Sequence, residues 1–356
     1  MSKKTVVIAG GGTAGHIYPG IAIARAIQKM DPTVEVHFVG TSQGLEAKIV
    51  PREGFPLHLI ESGKLNVKSP IQKLKTLLKI PYGLWQSARL LMQLKPQYVI
   101  GVGGYASGPF VLAASLIGFN TAIWEPNAMP GMANRLLSRW VDKCFVVFSE
   151  AKNHLRSDSV IQAGMPVRQE IEDAVHESHK DEKFHLLVFG GSQGSRTINY
   201  CLSDAVLNGG EWVKDLSVVH QLGKLDFQDV SIRYEKAPCD VQVHEFIYDM
   251  PKYYKWADII VSRGGASSIA EAAAFGIIPI VVPLPAADNH QQKNAESLVA
   301  KNAGRMILQK DLTPERLISE VQSLREDKAL REQMVRNIKT LYVPQAATAI
   351  AKEILQ

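Results

Sequence analysis

Cysteine, long apolar runs and, over one long stretch, acid are what this chain has least of. Its three cysteines, Cys144, Cys201 and Cys239, stand far apart among 356 residues with no C-x-x-C pair. That spacing excludes a disulfide framework or zinc ribbon and points to a reducing, cytoplasmic compartment. No segment reaches the ~18–20 uninterrupted apolar residues that a membrane-spanning helix needs. The nearest, AEAAAFGIIPIVVPLPAA, is broken by Glu271 and three prolines. The start, MSKKTVVIAGGG, meets glycines too soon for a signal peptide and reads as a first β-strand. No Asp-x-Asp and no His–carboxylate cluster suggests ligands, so neither a metal nor a cofactor is expected. Between Glu61 and Glu125 there is no Asp or Glu at all.

What is present is ordinary in amount and uneven in distribution. With 46% hydrophobic and 21% charged residues the chain is a globular protein. At roughly 100–200 residues per domain it should form about two domains. The net charge of +5 conceals a split: residues 1–165 hold 18 Lys and Arg against nine Asp and Glu, a net of +9. The remainder is therefore −4, and whatever attracts anions lies in the first half.

Strand and helix patterns alternate along the chain. TVVIA (5–9) is a buried parallel strand ending in glycines, IAIARAIQKM (21–30) has helical spacing, and VEVHFVG (34–40) is the next strand. YVIGVGG, TAIWEP and CFVVFS continue as strands, with helices near 109–118 and 131–138. Residues 151–183 turn polar and carry a turn-like AGMP, which places a domain boundary near 164–168. HLLVFGGSQGS then restarts the theme, followed by SVVHQLG, VQVHEFI, DIIVSRGG and PIVVPLP. The expectation is an α/β protein of two doubly wound, Rossmann-like domains, 1–165 and 166–344. A last helix after Pro344, spanning 345–356, would pack back on the first domain.

Four glycine-rich loops follow strands: GGGTAGH (10–16), GVGGYASGP (101–109), FGGSQGS (189–195) and SRGGASSIAEAAAFG (262–276). The first satisfies G-x-G-x-x-G, the dinucleotide fingerprint, in which glycines and a helix N-terminus receive an anion. It can equally be a tight turn with no ligand. A dinucleotide site needs an acid at the end of the second strand, and that strand ends Phe38-Val39-Gly40-Thr41. Four such strand ends suggest one or two anionic ligands in a cleft between the halves.

Several side chains near these loops can carry chemistry. His16 is a candidate general base beside the first loop; it can also bond locally or hold phosphate. Glu125, alone between Glu61 and Asp142, is a second candidate base or an orienter. Ser268-x-x-Glu271 fits a helix capping box, and Glu271 is alternatively placed to accept two ribose hydroxyls. DNHQQKNAE (288–296) is either a solvated turn or an amide-rich surface for sugar hydroxyls.

Within the acid-free stretch, Lys64, Lys68, Lys73, Lys75, Lys79, Arg89 and Lys95 interleave with Leu, Ile, Tyr82 and Trp85. Such a segment, residues 64–95, can lie on an anionic membrane surface, or be a common amphipathic helix with solvated lysines. No nucleic-acid motif accompanies the charge, so nucleic acid is not an expected partner.

Taken as a set and in order, GGGTAGHIYPG, GVGGYASGP, EPNAMPGMANRLL, GMPVR, FGGSQGSRTIN, EFIYDMPKYYKWADIIVSRGGASSIAEAAAFG and HQQKNA resemble the MurG family of bacterial peptidoglycan glycosyltransferases. The resemblance implies a GT-B fold and inverting, metal-independent transfer of N-acetylglucosamine from UDP-N-acetylglucosamine. The acceptor would be lipid I, undecaprenyl-pyrophosphoryl-MurNAc-pentapeptide, and the product lipid II. It also implies a peripheral position on the cytoplasmic face of the bacterial inner membrane. Thr13, Ala14 and Gly15 would face the lipid pyrophosphate and the transferred sugar, and Asn127 the sugar. Arg168 and Ser192 would contact the nucleotide and its diphosphate, and the Ile247 backbone the uracil. Ala266, Ser267, Ser268, Ile269, Ala270 and Glu271 would hold diphosphate and ribose. Gln291, with Gln292 and Asn294 beside it, would read the N-acetylglucosamine hydroxyls. Three motifs depart from the family: TAGH for TGGH puts a methyl at Ala14, Trp124-Glu125-Pro126-Asn127 replaces HEQN, and GMPVR replaces GNPVR.

A UDP-sugar 2-epimerase would need neither acceptor loops nor the basic stretch. A nicotinamide-dependent oxidoreductase lacks its ribose carboxylate, and a non-catalytic sugar-nucleotide binder is the non-enzyme alternative.

Overall fold

The computed structural model describes residues 4–62, 70–167, 169–174, 183–286 and 288–356, and for residues 70–80 the backbone only. The chain divides into two compact units, Met1–Arg168 with Gln345–Gln356, and Gln169–Pro344.

In the first unit β1 (Thr5–Gly10) leads to α1 (Ala14–Met30), β2 (Glu35–Gly40), α2 (Glu46–Arg52) and β3 (Leu57–Leu59). Next come α3 (Pro70–Leu94), β4 (Tyr98–Gly103), α4 (Ser107–Ile117) and β5 (Asn120–Glu125). Then follow α5 (Met132–Leu137), β6 (Lys143–Val146) and β7 (Val160–Gln162). The strands form one parallel sheet in the order β3-β2-β1-β4-β5-β6-β7. A central parallel strand is covered on both faces, which is why β1 reads as an unbroken apolar run and every residue of it is buried.

The second unit repeats the plan with α6 (Gln169–Ala174), β8 (Phe184–Phe189), α7 (Arg196–Asn208), β9 (Leu216–Gln221), α8 (Phe227–Tyr234) and β10 (Asp240–His244). It continues through α9 (Met250–Trp256), β11 (Ile259–Ser262), α10 (Ala266–Phe275), β12 (Ile278–Val281) and α11 (His290–Ala300). It ends with β13 (Arg305–Met306), α12 (Pro314–Glu326) and α13 (Lys328–Lys339). Its parallel sheet runs β10-β9-β8-β11-β12-β13. Helix α14 (Ala346–Leu355) then returns to the first unit and packs on α1. Lys143 Nζ there donates to the Glu353 carboxylate at 2.9 Å and to its carbonyl at 2.8 Å.

These are the two Rossmann-like, doubly wound domains of a GT-B protein. In each sheet the strand order reverses beside the first strand, between β1 and β4 and between β8 and β11. Such switch points open a crevice at the carboxyl ends of the strands, where ligands bind in doubly wound folds. The four glycine-rich loops follow these same four strands.

The structure corrects two local readings. The polar stretch after residue 151 is not only a boundary: it holds β7, a three-residue edge strand too short to show a period. Helix α10 begins at Ala266 with Gly265 as its N-cap, so Ser268 is inside the first turn and forms no capping box. Among the described residues no helix is long and apolar enough to cross a membrane.

Candidate functional site

In the first unit the loop after β1 meets the loop after β4 backbone to backbone. Gly11 N donates to Gly103 O at 3.0 Å. The His16 ring, in the first turn of α1, rests on Gly103, where an added Cβ would stand 2.9 Å from its Cδ2. His16 Nδ1 lies 3.2 Å from the Gly11 carbonyl. A carbonyl only accepts, so Nδ1 carries a proton in this contact, and Nε2 is the ring's other nitrogen. Thr13, the N-cap of α1, makes no side-chain cap, and its Oγ1 stands 3.4 Å from His16 Nδ1. Thr13 and Gly15 are exposed, and Ala14 is half-buried. A long helix with an N-cap of this kind presents amide donors and positive potential to an anion.

Glu125 closes β5 and is 2% exposed. Its Oε1 accepts from Asn127 N at 2.9 Å and Asn127 Nδ2 at 3.1 Å. Its Oε2 accepts from Gly131 N at 3.0 Å and Asn134 Nδ2 at 2.8 Å. A carboxylate engaged by four donors anchors the 126–131 loop. Asn127 is thereby held at the C-terminal edge of the sheet.

In the second unit Ser195 caps α7, accepting from Ile198 N at 3.5 Å, and leaves Ser192 exposed on the preceding loop. Gln221, at the end of β9, braces that loop: its Nε2 donates to Gly191 O at 2.9 Å. Its Oε1 accepts the Ile247 amide at 2.9 Å. Of the Ile247 backbone expected to meet uracil, the amide is thus engaged within the protein, and the carbonyl is the other backbone group. Beneath the loop, Asn199 Nδ2 donates to Leu222 O at 2.8 Å while its Oδ1 bonds His220 Nε2 at 3.1 Å. Burial drives the His220 pKa down to about 3, so the ring is a neutral structural element at physiological pH.

Gly265 gives α10 no side-chain cap, so the Ala266, Ser267 and Ser268 turn is an anion-attracting helix N-terminus. Ile269 and Ala270 are buried behind it. Glu271 follows on the same helix, and its Oε2 accepts the Tyr254 hydroxyl at 2.7 Å. Tyr254 is 1% exposed and packs against Phe275 and Phe189, which fixes that carboxylate oxygen.

The amide cluster at α11 is sorted by burial. Gln291 Oε1 accepts from Gly264 N at 3.1 Å and Leu284 N at 2.9 Å, so what it can offer a sugar is its Nε2. Gln292 donates to Glu296 along its own helix at 2.9 Å. Asn294 is wholly buried and donates to Gly264 O at 3.1 Å, which places it under the loop and not against a sugar hydroxyl. Arg168, Lys64 and Lys68 lie outside the described residues, as do the side chains of Lys73, Lys75 and Lys79.

Sequence reasoning passed over Gln221 and Tyr254, whose partners are distant in sequence, and Asn134, whose partners Trp124 and Glu125 lie one loop back. It also passed over Arg263, whose Nη1 donates to Val282 O at 3.1 Å and Pro283 O at 3.3 Å. Burial lowers the Arg263 pKa.

Comparison with known proteins agrees with this architecture. The chain matches the glycosyltransferase family 28 N-terminal domain over residues 6–146 and the family 28 C-terminal domain over residues 185–350. It is 83% identical over 354 residues to a UDP-N-acetylglucosamine–N-acetylmuramyl-(pentapeptide) pyrophosphoryl-undecaprenol N-acetylglucosamine transferase of Bdellovibrio bacteriovorus, covering 99% of both chains. A protein of the same name from Anaeromyxobacter is 43% identical, over 97% of this chain and 91% of its own. The crystal structure of Acinetobacter baumannii MurG superposes with a TM-score of 0.83 at 28% identity, covering 99% of each chain. The chain belongs to the MurG family of family 28 glycosyltransferases and is itself a glycosyltransferase.

Proposed function

We propose that this enzyme transfers N-acetylglucosamine from UDP-N-acetylglucosamine to lipid I, forming lipid II at the cytoplasmic face of the bacterial inner membrane, by an inverting and metal-independent displacement. The observation that carries the substrate assignment is the full-length, 83% identical relative whose name states that transfer. The acceptor is assigned to the first unit and the donor to the second.

The chemistry follows from the groups present. The acceptor hydroxyl forms its bond to the anomeric carbon as its proton passes to His16 Nε2. The bond from that carbon to the UDP oxygen breaks, and the electron pair leaves with UDP. One displacement inverts the centre. The α10 N-terminus, with Ser192 and Arg168, meets the charge growing on the diphosphate. Among the described residues no three His, Cys, Asp or Glu stand together as metal ligands, and helix termini supply the positive potential in this scheme. Glu271 receives the ribose hydroxyls, the Ile247 backbone carbonyl meets the uracil, and Gln291 Nε2 reads the sugar. Thr13, Ala14, Gly15 and Asn127 face the acceptor and the transferred sugar.

The purified protein, given labelled UDP-N-acetylglucosamine, a lipid I analogue and EDTA, is expected to move label into the lipid with a β linkage. Absence of transfer refutes the assignment, and epimerised UDP-sugar without acceptor favours the epimerase. Dependence on added metal, or an α product, overturns only the corresponding part of the mechanism.

Membrane docking through the first unit belongs to the same reading. Tyr82 and Trp85 stack at 5.8 Å between centroids, both are exposed, and Arg89 lies over Trp85. Helix α3 packs on α4 and α4 on α5. Those neighbours add exposed Leu116, Ile117, Leu136 and Trp140 beside Arg135 and Arg139. Each cation near an anionic bilayer contributes about 1 kcal/mol. Reversing Arg89, Arg135 and Arg139 to Glu is expected to weaken binding to phosphatidylglycerol vesicles by at least tenfold, and unchanged binding argues against this face.

A further inference from the structure

The first glycine loop already holds an anion, and it is the chain's own. Glu46, the first residue of α2, is 2% exposed. Its Oε2 accepts from Gly12 N at 2.6 Å. Its Oε1 accepts from Thr41 N at 2.9 Å and the Thr41 hydroxyl at 3.0 Å. Three glycines from separate places in the chain make room for it. A Cβ on Gly11, Gly40 or Gly44 would overlap the Glu46 side chain. These glycines form a socket for a carboxylate, joining the loop after β1 to the end of β2 and the start of α2.

Gly12 is the second glycine of the G-x-G-x-x-G pattern, the position at which a dinucleotide fold lets backbone approach a pyrophosphate. Here that amide is taken. A second anion at this amide would meet a buried carboxylate of the same sign, and water cannot screen the pair well at such burial. The fingerprint is therefore filled from within. What remains for a ligand is the next part of the loop, Thr13 to His16.

We infer that Glu46 is a positioning residue: its carboxylate fixes the β1–α1 loop that carries His16, and it closes that loop to dinucleotide pyrophosphates. The catalytic consequence rests on the proposal that this loop faces the acceptor. Holding the base in place matters because a displacement of about 1 Å can cost around 100-fold in rate.

The test is Glu46→Gln, which keeps shape but turns one acceptor oxygen into a donor facing the Gly12 or Thr41 amide. Its kcat with a lipid I analogue is expected to fall at least tenfold, with KM for UDP-N-acetylglucosamine within twofold of wild type. Hydrogen exchange of the amides at 11–16 is expected to quicken at least tenfold, while those at 190–195 keep wild-type protection. Unchanged kcat with unchanged exchange overturns the inference. So does a parallel loss of kcat and donor affinity, which marks general loosening. Gly44→Ala reaches the same point without altering the acid, since its Cβ pushes into the carboxylate from a half-exposed loop. It must show the same split, including where Glu46→Gln does not fold. A loosened 11–16 loop in a protein whose wild type transfers nothing to lipid I sustains the positioning role and refutes the acceptor assignment.

Discussion

Replacing His16 with alanine is expected to lower kcat by about 10²–10⁴-fold, the range that a positioned general base contributes, with donor affinity changed less than twofold. The expectation comes from the tautomer. The Gly11 carbonyl 3.2 Å from Nδ1 can only accept, so a proton sits on Nδ1 and proton transfer falls to Nε2. The ring's seat on Gly103 fixes its direction, because any side chain there would displace it. In His16→Ala the rate at saturating donor and acceptor should fall while the acceptor KM stays near wild type. The rival role, holding phosphate without moving a proton, makes the opposite forecast: acceptor KM rises and the saturated rate stays. Rate measurements at saturating donor and varied acceptor separate the two.

Replacing Glu125 with alanine is expected to act on stability before chemistry. Four donors converge on a carboxylate that is 2% exposed, and the truncation takes that acceptor from each of them. A buried donor left unpaired costs about 1–3 kcal/mol. Water entering the gap recovers part of that, so a net loss of roughly 3–5 kcal/mol is expected, as for a buried charge network broken from one side. At about 2–4 °C per kcal/mol for a unit of this size, the first transition in a thermal melt should fall by roughly 6–20 °C. Activity should fall with it at assay temperature, because Asn127 hangs from the same carboxylate. A variant with wild-type melting and kcat reduced 10²-fold or more would instead make Glu125 the base.

The central strands were the most legible part of the molecule in the sequence. β1, β4, β8 and β11 lie under helices on both faces, so composition alone announces them, and the glycines that end them mark the switch points. The edge strands β3, β7 and β13 were not legible, being two or three residues long and half polar in company. The capping box at Ser268 failed for a particular reason. The true N-cap is Gly265, which has no side chain to announce itself, and Ser-x-x-Glu also occurs by chance inside a helix. Side chains that brace the loops left still less trace. Gln221 joins residues 30 and 26 positions away, a pairing that only the parallel sheet creates. Glu46 did have a local signal, an acid beside Gly44 shortly after β2, but a search for a ribose carboxylate stops at the strand end, six residues too soon.

Because the first unit takes its last helix from Gln345–Gln356, it cannot be finished before the whole of the second unit has been synthesised. The second unit, Gln169–Pro344, is continuous, and the last strand of its sheet, Arg305–Met306, precedes that helix in the chain. The half that carries His16 and the exposed aromatic helix therefore waits, with the α1 face that α14 covers still open, until that helix is made. The continuous unit can close first, and the interrupted one closes last.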